Sequence, residues 1–348
     1  MILKKINLNQ FRNATEASYD FHELLTIIIG ENARGKTNLL ESLFFSVNGV
    51  GFRESKEQEL ILWEKESAFV DAAFSDGDST ISFQIFLKLR GETVEKQFTV
   101  NKSKKTHKQY QEYQTKAVLF APEHIDIISG SPDKRREYFN KVISLFDYEY
   151  KRKLTNYEHA LRKRNKILEH HRDIQTLQEE LIFWNDYLEE QATYITAKRE
   201  EYINYLNQHK KIDDRQFEIF YQKNILTRAL LEFGFDEERK WRKTLIGPQK
   251  DDFVVSLIEN DVKENVHHYG SRSEQRLGVF WFKLNEIQFL ESYFKQKPIL
   301  LLDDVFSELD VKNKKLVFEL VKNYQTVLTT TEDELLELPK IEHSVIRI

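Results

Sequence analysis

The sequence contains no cysteine among its 348 residues. This absence excludes disulfide bonds, thiolate metal sites and cysteine nucleophiles, and it is typical of proteins kept in a reducing cytoplasm. No apolar run approaches the roughly 20 residues that a membrane-spanning helix needs. The first residues turn polar too soon for a secretory signal. We therefore expect a cytoplasmic globular protein with a large core.

Excess positive charge is also missing. The formal net charge is −5, with 52 Lys and Arg against 57 Asp and Glu. A uniformly basic nucleic-acid-binding protein is excluded, whereas a local basic patch is not. Glycine is scarce, at 11 residues, and none lies in residues 132–232. Apolar residues recur there at spacings of three and four, which predicts amphipathic helices.

Glycine does occur in one motif that carries chemistry. Residues 30–37 fit the pattern G-x-x-x-x-G-K-[ST] of a loop that binds nucleotide phosphates. A β-branched run precedes the loop and apolar residues at helical spacing follow it, so the context is strand, loop and helix. The candidate ATP-binding residues of this segment are Gly30, Glu31, Asn32, Ala33, Arg34, Gly35, Lys36, Thr37 and Asn38.

Each part of this loop has a chemical reason. Glycines let the backbone curl so that its N–H groups face the phosphates, and the helix N-terminus adds partial positive charge. Lys36 would reach the β- and γ-phosphate oxygens, and the Thr37 hydroxyl would ligate Mg²⁺. The expected cofactors are therefore ATP and Mg²⁺.

A second motif lies far along the chain. Residues 299–302 are apolar, as in a strand buried on both faces of a parallel sheet, and Asp303 and Asp304 follow. Asp303 is the expected metal-side acid, and Asp304 is the expected catalytic carboxylate that polarises the attacking water. A small GTPase keeps the two motifs much closer together.

The long separation of the two motifs, with helices between them, predicts an α/β head domain of the ABC/SMC type. In this fold class mixed sheets surround the phosphate-loop helix, and an α-helical lobe is inserted. We expect the head in residues 1–130 and 236–348 and the lobe in residues 131–235. Period-two alternation predicts strands at residues 2–8, 68–74, 80–89 and 94–100. A continuous coiled coil is disfavoured because no strict heptad holds.

With these residues assembled, the chain resembles the RecF family of SMC-like ATPases over essentially its whole length. The matching segments are Phe11-Arg12-Asn13, residues 30–41, Phe120-Ala121-Pro122-Glu123, residues 130–136, residues 157–165 with Trp184, and residues 300–310. The two nucleotide motifs are the most specific of these.

The resemblance implies an ATP-dependent homodimer that clamps DNA near junctions of single and double strand, without sequence preference, and hydrolyses ATP slowly. It implies recombinational repair, with RecR/RecO-type mediator proteins as partners. By the same resemblance Arg12 and Asn13 would lie near the nucleoside, Ser271 and Arg272 would contact the nucleotide of the opposite subunit, and Asp310 would belong to a loop crossing the dimer interface.

The segment 271–276 departs from the family pattern. The family reads roughly Ser-Gln-Gly-Gln-Gln-Arg where this chain reads Ser-Arg-Ser-Glu-Gln-Arg. Ser273 replaces a glycine that allows close approach to phosphate, which puts the strength of ATP-driven dimerisation in question. Arg272 either compensates with a bidentate phosphate contact or is a surface arginine. Ser271 is also a good helix cap.

Three basic clusters are candidates for DNA contact. None contains interleaved aromatic residues, so backbone contact to duplex is favoured over base stacking. Each cluster is equally readable as a solvated surface. The candidates are Lys102, Lys104, Lys105 and Lys108; Arg162, Lys163 and Arg164; and residues 134–136.

Two other functions remain open at this point. One is a related SMC-like defence or DNA-end-sensing ATPase, although such proteins often carry a nuclease domain for which there is no room here. The other is a non-hydrolysing scaffold in which nucleotide only holds the interface. The altered segment 271–276 is the reason to keep the second possibility.

Overall fold

The computed structural model describes residues 1–53, 56–113, 115–170, 173–260, 262–305, 311–331 and 341–348. They pack as two compact units. The first contains Met1–His124 and Glu286–Ile348, and the second contains Ile125–Asn285. Within the described residues, no helix is both long enough and apolar enough to cross a membrane.

Strands and helices follow one another along the chain in mixed order. The strands are β1 (Ile2–Phe11), β2 (Ala14–Asp20), β3 (Leu25–Ile29), β4 (Ser67–Asp76), β5 (Ser79–Arg90), β6 (Thr93–Val100), β7 (Ser103–Lys105), β8 (Ala117–Phe120), β9 (Lys211–Ile212), β10 (Arg215–Gln222), β11 (Asp252–Glu259), β12 (Val262–Asn265), β13 (Ile299–Asp303), β14 (Thr326–Thr330) and β15 (His343–Arg347). The helices are α1 (Lys36–Asn48), α2 (His107–Gln111), α3 (Asp126–Ser129), α4 (Pro132–Phe146), α5 (Tyr148–Glu169), α6 (Ile174–Gln208), α7 (Arg228–Phe233), α8 (Phe235–Trp241), α9 (Arg272–Phe294) and α10 (Val311–Asn323).

A parallel sheet in the first unit carries both predicted nucleotide motifs. Its strand order is β15-β3-β14-β13-β8. The four strands β3, β8, β13 and β14 are buried along their whole length, which explains their unbroken apolar sequences. Because β3, β14 and β13 run parallel, the loops that follow β3 and β13 open at the same edge of the sheet, with β14 between them.

The second sheet of this unit is antiparallel, in the order β2-β1-β4-β5-β6-β7. Buried and half-buried residues alternate along β4 and through most of β5, as the sequence pattern predicts for a sheet with one buried face. Helix α1 contacts strands of both sheets, and apolar residues of both sheets and α1 form one core. The predicted fold class, mixed sheets around the phosphate-loop helix, is confirmed.

The second unit combines helices α3–α8 with the antiparallel sheet β12-β11-β10-β9. An aromatic cluster joins helix and sheet, because Phe139 of α4 stacks on Phe253 of β11 at 4.1 Å between ring centroids. Phe253 also stacks on Tyr221 of β10 at 5.0 Å. Trp281 of α9 stacks on Phe217 of β10.

This packing differs from the division that the sequence predicts. Residues 236–285 were expected in the head, but they pack with the inserted helices. The insert is also not purely helical, since β10 lies within residues 131–235. The reason is tertiary: β10 pairs antiparallel with β11 from Gln216 to Gln222, which ties two distant segments into one sheet.

Candidate nucleotide-binding site

The loop of residues 30–37 connects β3 to α1, as predicted. Gly35 is the N-cap of α1 with φ +107°, in a left-handed region that favours glycine. A Cβ atom at Gly35 would lie 2.6 Å from Nδ2 of Asn13. At Gly30 a Cβ would lie 2.5 Å from the carbonyl oxygen of Ile348. Gly35 is therefore required by its backbone conformation and by the nearby Asn13 side chain. Gly30 is required only because the Ile348 backbone lies so close.

The lysine of the loop folds back on its own backbone. Lys36 Nζ donates to the carbonyl oxygens of Gly30, at 2.6 Å, and Glu31, at 2.9 Å. The side chain is buried. The ammonium group is thus held at the loop by neutral acceptors, which anionic phosphate oxygens can outcompete.

The remaining loop residues are exposed. Arg34 Nη2 pairs with Glu31 Oε2 at 3.0 Å on the surface. Asn32 and Ala33 are exposed as well, and Ala33 has φ +65°. Asn38 Nδ2, on the first turn of α1, donates to Asn13 Oδ1 at 2.8 Å. Asn13 therefore lies against the phosphate loop.

The Arg12 side chain binds a buried glutamate of α1. Its Nε and Nη2 donate to both carboxylate oxygens of Glu41, at 2.6 and 3.0 Å, and its Nη1 donates to the Glu59 carbonyl oxygen. Glu41 is fully buried on α1. Arg12 thus fixes the strand end beside Asn13 to the phosphate-loop helix. Its predicted contact with the nucleoside stays a prediction.

The two sequence motifs meet in space. Thr37 Oγ1 donates to Asp303 Oδ1 at 3.0 Å, across 266 residues of sequence. Asp303 is buried at the end of β13. A hydroxyl and a carboxylate side by side are hard oxygen ligands of the kind that Mg²⁺ prefers, with water and phosphate completing the shell. No group of three or more His, Cys, Asp or Glu suited to a metal occurs in the described residues.

A third side chain, which lies outside both sequence motifs, joins this cluster. Thr329 of β14 donates from Oγ1 to Asp303 Oδ1 at 2.7 Å. The same Oγ1 accepts the backbone N–H of Asp304 at 3.0 Å. Asp304 has φ +47°, an uncommon conformation for a residue other than glycine. Thr329 is fully buried and holds both acidic residues, and only the register Asp303↔Thr329 reveals it.

The segment expected to act in trans forms a helix cap in this chain. Ser271 and Glu274 make a capping box at the start of α9, with Ser271 N donating to Glu274 Oε2 at 2.8 Å and Glu274 N donating to Ser271 Oγ at 3.3 Å. The hydrogen bond from the Ser271 hydroxyl lowers the pKa of the Glu274 carboxyl. Arg272 is exposed. Asp310 lies outside the described residues.

The structure corrects one predicted DNA contact and places the others. Arg164 is completely buried, where it donates to Glu238 at 2.6 Å and to Asn185 and Thr244 at 2.8 Å each, so it is an internal anchor. The other candidates are exposed at Lys102, Lys104, Lys108, Arg162 and Lys163, and half-buried at Lys105.

The arginines of residues 134–136 are also tied to the protein. Arg135 forms a bidentate pair with Asp252, at 2.7 and 3.0 Å. Arg136 Nη1 donates to the Asp251 carbonyl oxygen at 2.6 Å. Both arginines therefore fix the start of β11 within the second unit, and Lys134 is the exposed member of the cluster.

Strand, glycine loop, helix and acidic strand end define a P-loop ATPase of the ABC/SMC head class. Residues 2–341 match the family model described as "RecF/RecN/SMC N terminal domain". The chain belongs to the RecF family within that group, which confirms the family resemblance seen in the sequence.

Relatives and solved structures agree with this assignment. The chain is 31% identical to the "DNA replication and repair protein RecF" of Halalkalibacterium halodurans, over 95% of the chain and 93% of that protein. The protein of the same name from Natranaerobius thermophilus is 30% identical over 96% and 92%. A structure described as "recombination mediator protein RecF-ATP in RecFOR pathway" superposes with a TM-score of 0.84 at 28% identity, covering 100% of this chain and 95% of that one.

Proposed function

We propose that this protein is an ATP-dependent DNA-binding ATPase of recombinational repair. The observation that carries the proposal is the contact of Thr37 with Asp303, which unites the phosphate loop and the acidic strand end. RecF relatives that align along nearly the whole chain support the biological setting. The RecF-ATP structure supports ATP as the nucleotide. A cytoplasmic location is part of the proposal.

The loop residues bind the triphosphate. Backbone N–H groups of residues 30–37 and the N-terminus of α1 face the phosphates, and Lys36 exchanges its two carbonyl partners for phosphate oxygens. Thr37 and Asp303 would hold Mg²⁺, which would supply positive charge to neutralise the charge that develops on the phosphates during hydrolysis. The remaining residues of the segment 30–38 and Asn13 shape the cradle.

Asp304 holds the attacking water. Its carboxylate is the general base, and its position is set by the hydrogen bond from its own backbone N–H to Thr329. Without the Asp304 carboxylate, nucleotide would bind but not turn over. A slow, DNA-stimulated reaction would make hydrolysis the step that releases DNA.

ATP would bring two copies of the chain together. Ser271 and Arg272 of one copy, with Asp310, would contact the nucleotide bound by the other. The exposure of Ser271 and Arg272 supports this role, since both can reach a second molecule. RecR/RecO-type mediator proteins are the proposed partners, because the similar RecF structures are described within the RecFOR pathway.

DNA contact would come from local positive charge, because the net charge is −5. Exposed cations at the β6–β7 turn and on α5 support phosphate contacts without sequence preference. The proposed residues are Lys102, Lys104, Lys105, Lys108, Arg162 and Lys163.

One set of measurements tests the proposal. Light scattering and DNA binding are followed with and without ATP across a salt series, for the wild type, Lys36→Ala and Asp304→Asn. The wild type should self-associate and bind DNA more tightly with ATP, and DNA affinity should fall steeply with salt. Lys36→Ala should weaken nucleotide binding by about 10-fold or more through loss of a charge-assisted contact. Asp304→Asn should retain ATP and accumulate the DNA-bound dimer.

Two results would contradict the proposal. If DNA affinity is identical in the wild type and Lys36→Ala, with and without ATP, then DNA binding does not depend on the nucleotide. An Asp304→Asn variant that hydrolyses ATP like the wild type would remove Asp304 from the reaction. An ATP-dependent dimer with no hydrolysis in the wild type would instead favour the nucleotide-gated scaffold.

A further inference from the structure

A basic and aromatic turn at the end of α8 is not among the clusters discussed so far. Residues 239–243 read Arg-Lys-Trp-Arg-Lys, and we refer to them as the RKWRK turn. Trp241 is 60% exposed, which is unusual for so large an apolar side chain. Lys243 Nζ lies 5.9 Å from the centre of the Trp241 ring. Cations and a flat aromatic ring thus share one exposed turn.

The turn is fixed from below by buried polar groups. Arg242 is in the left-handed region, with φ +54°, and its N–H and that of Lys243 both donate to the Glu238 carbonyl oxygen. The Glu238 carboxylate is buried against Arg164 and accepts the Leu245 N–H at 2.9 Å. The buried residue Glu238, which pairs with Arg164, therefore holds the backbone at both ends of the exposed turn.

A second contact secures the far side of the turn. Thr244 donates from both its N–H and its hydroxyl to Asn165 Oδ1, at 2.8 Å each. Thr244 also accepts from Arg164. Burying an ion pair costs desolvation energy, and here the buried pair organises a surface turn. Rigid backbone beneath exposed side chains is the expected design of a binding element, because little entropy is lost on binding.

Helix stability explains part of this sequence but not all of it. Cations in the last turn of a helix interact favourably with its dipole, and Arg239 lies 3.6 Å from Asp236. Trp241 gains nothing from that arrangement, since most of its ring faces water. Its exposed apolar surface is instead available to a ligand with a flat aromatic face. The four cations of residues 239–243 outnumber the exposed Asp236 and Glu237 before them and favour an anionic ligand.

We propose that the RKWRK turn binds single-stranded nucleic acid, with Trp241 stacking on a base and the neighbouring cations contacting phosphates. Single strands combine accessible base faces with a charged backbone, whereas the bases of a duplex are stacked on one another. Exposed Lys163 and Lys166 flank Arg164 and Asn165, the two α5 residues that hydrogen-bond to Glu238 and Thr244 on either side of the turn. This inference rests on the proposed DNA-binding function and specifies which strand form one element would recognise.

Tryptophan fluorescence gives a direct test with a matched control. The chain has four tryptophans. Trp63 is 85% exposed and lies between Leu62 and Glu64, with a single lysine within two residues in the sequence, and it belongs to the first unit. The full-length wild type, Trp241→Phe and Trp63→Phe are titrated with ATP and a thymidine oligonucleotide of about 20 nucleotides, longer than one typical binding element needs. Quenching should persist in Trp63→Phe and be lost in Trp241→Phe.

Affinity measurements complete the test. Trp241→Ala should weaken binding of the single strand by about 10-fold, as expected for loss of one stacked base, with little change for duplex of the same length. Lys240→Ala combined with Lys243→Ala should reduce the slope of affinity against salt by about two phosphate contacts. The exposed substitutions should leave the melting temperature unchanged, so folding can be checked separately.

The outcomes separate this inference from the proposed function. Unchanged single-strand affinity in Trp241→Ala, with quenching retained in Trp241→Phe, would overturn the inference while DNA binding stands. Equal weakening for duplex and single strand would overturn the stacking role. A wild type that binds neither form of DNA would overturn the proposed function as well.

Discussion

Two buried aspartates, one in each unit, differ in the groups that contact them. The contacts of a charged group determine what it can do. Asp303 of the first unit accepts hydrogen bonds from the hydroxyls of Thr37 and Thr329. Asp251 of the second unit forms an ion pair with Arg199 at 2.6 Å, and both are almost completely buried. Hydroxyls orient a carboxylate without neutralising it, whereas a guanidinium cancels its charge. Asp303 thus remains able to bind a cation, and Asp251 is structural.

The pair in the second unit belongs to a wider network. Arg199 also donates to the Pro248 carbonyl oxygen and to Asn140, and Asp251 accepts the Asn224 N–H. These bonds fix the turn of residues 247–252. Four substitutions test this difference between Asp251 and Asp303.

The largest effect is expected at Asp251. Asp251→Asn leaves the buried Arg199 charge without a counter-ion, which should reduce the free energy of unfolding by about 3–5 kcal/mol. Urea unfolding of the full chain measures this change. Glu232→Gln, which removes the exposed pair of Glu232 with Arg228, is the control and should cost less than about 0.5 kcal/mol. Equal losses in the two variants would show that the buried pair is not structural.

Lys116 tests a buried charge of the opposite sign. Its Nζ donates to the carbonyl oxygens of Gln111 and Tyr113 and lies 4.7 Å from the centre of the Phe294 ring. Burial lowers the pKa of Lys116 from 10.5 to about 8. Between these values the unfolded chain binds more protons, so stability should rise as pH increases from about 8 to 10.5, by at most about 3 kcal/mol.

Unfolding measured across this pH range checks the expectation. Lys116→Met removes the titrating group, so its stability should lack that part of the rise. Parallel pH profiles of the wild type and Lys116→Met would show that Lys116 keeps an ordinary pKa in the folded protein.

Asp303→Asn should behave in the opposite way to Asp251→Asn. It removes a buried charge that, among the described residues, pairs with hydroxyl groups and with no cationic side chain, so the nucleotide-free protein should unfold at the same or a higher denaturant concentration. Mg²⁺-dependent ATP binding should weaken by about 10–100-fold through loss of the metal-side carboxylate. Calorimetric titration measures the binding. Retained Mg²⁺-dependent affinity would remove Asp303 from the metal site.

Thr329→Val gives the smallest and most specific effect. Valine keeps the β-branched shape but leaves Asp303 and the Asp304 N–H without that hydroxyl, so the Mg²⁺ concentration for half-maximal ATP binding should rise by about 10-fold. Thr329→Ser should restore it. Thr326→Val makes the same change on the same buried strand, where the hydroxyl donates to the Tyr324 carbonyl oxygen, and should leave the Mg²⁺ requirement unchanged. Identical behaviour of the two valine variants would exclude a positioning role for Thr329.

Local pattern predicted the elements that carry the site. The apolar run before Gly30 is β3, the run before Asp303 is β13, and the alternation of residues 68–74 and 80–89 falls within β4 and β5. These predictions succeed because a strand buried on one face has alternating apolar residues and a strand buried on both faces has a continuous apolar run. Strand β2 and strand β10 were not predicted, although residues 216–221 do alternate.

The sequence pattern did not predict which distant residue a given charged side chain contacts. Arg164 stands among Arg162 and Lys163 in a basic run, and nothing local indicates that it points inward to Glu238. Thr329 belongs to neither nucleotide motif, and only strand pairing places it beside Asp303. The RKWRK turn was readable in the sequence, but its fixed backbone was not.

The amino-acid sequence by itself determined the phosphate loop, the acidic strand end and the family, because these depend on residue types at fixed spacing. Tertiary structure alone decided that Thr37 and Thr329 share one oxygen of Asp303, that Arg164 is an internal anchor, and that β10 and β11 form one sheet. The physical reason is that hydrogen bonds and burial join residues far apart in the chain, and spacing along the chain does not record which distant group will be the partner.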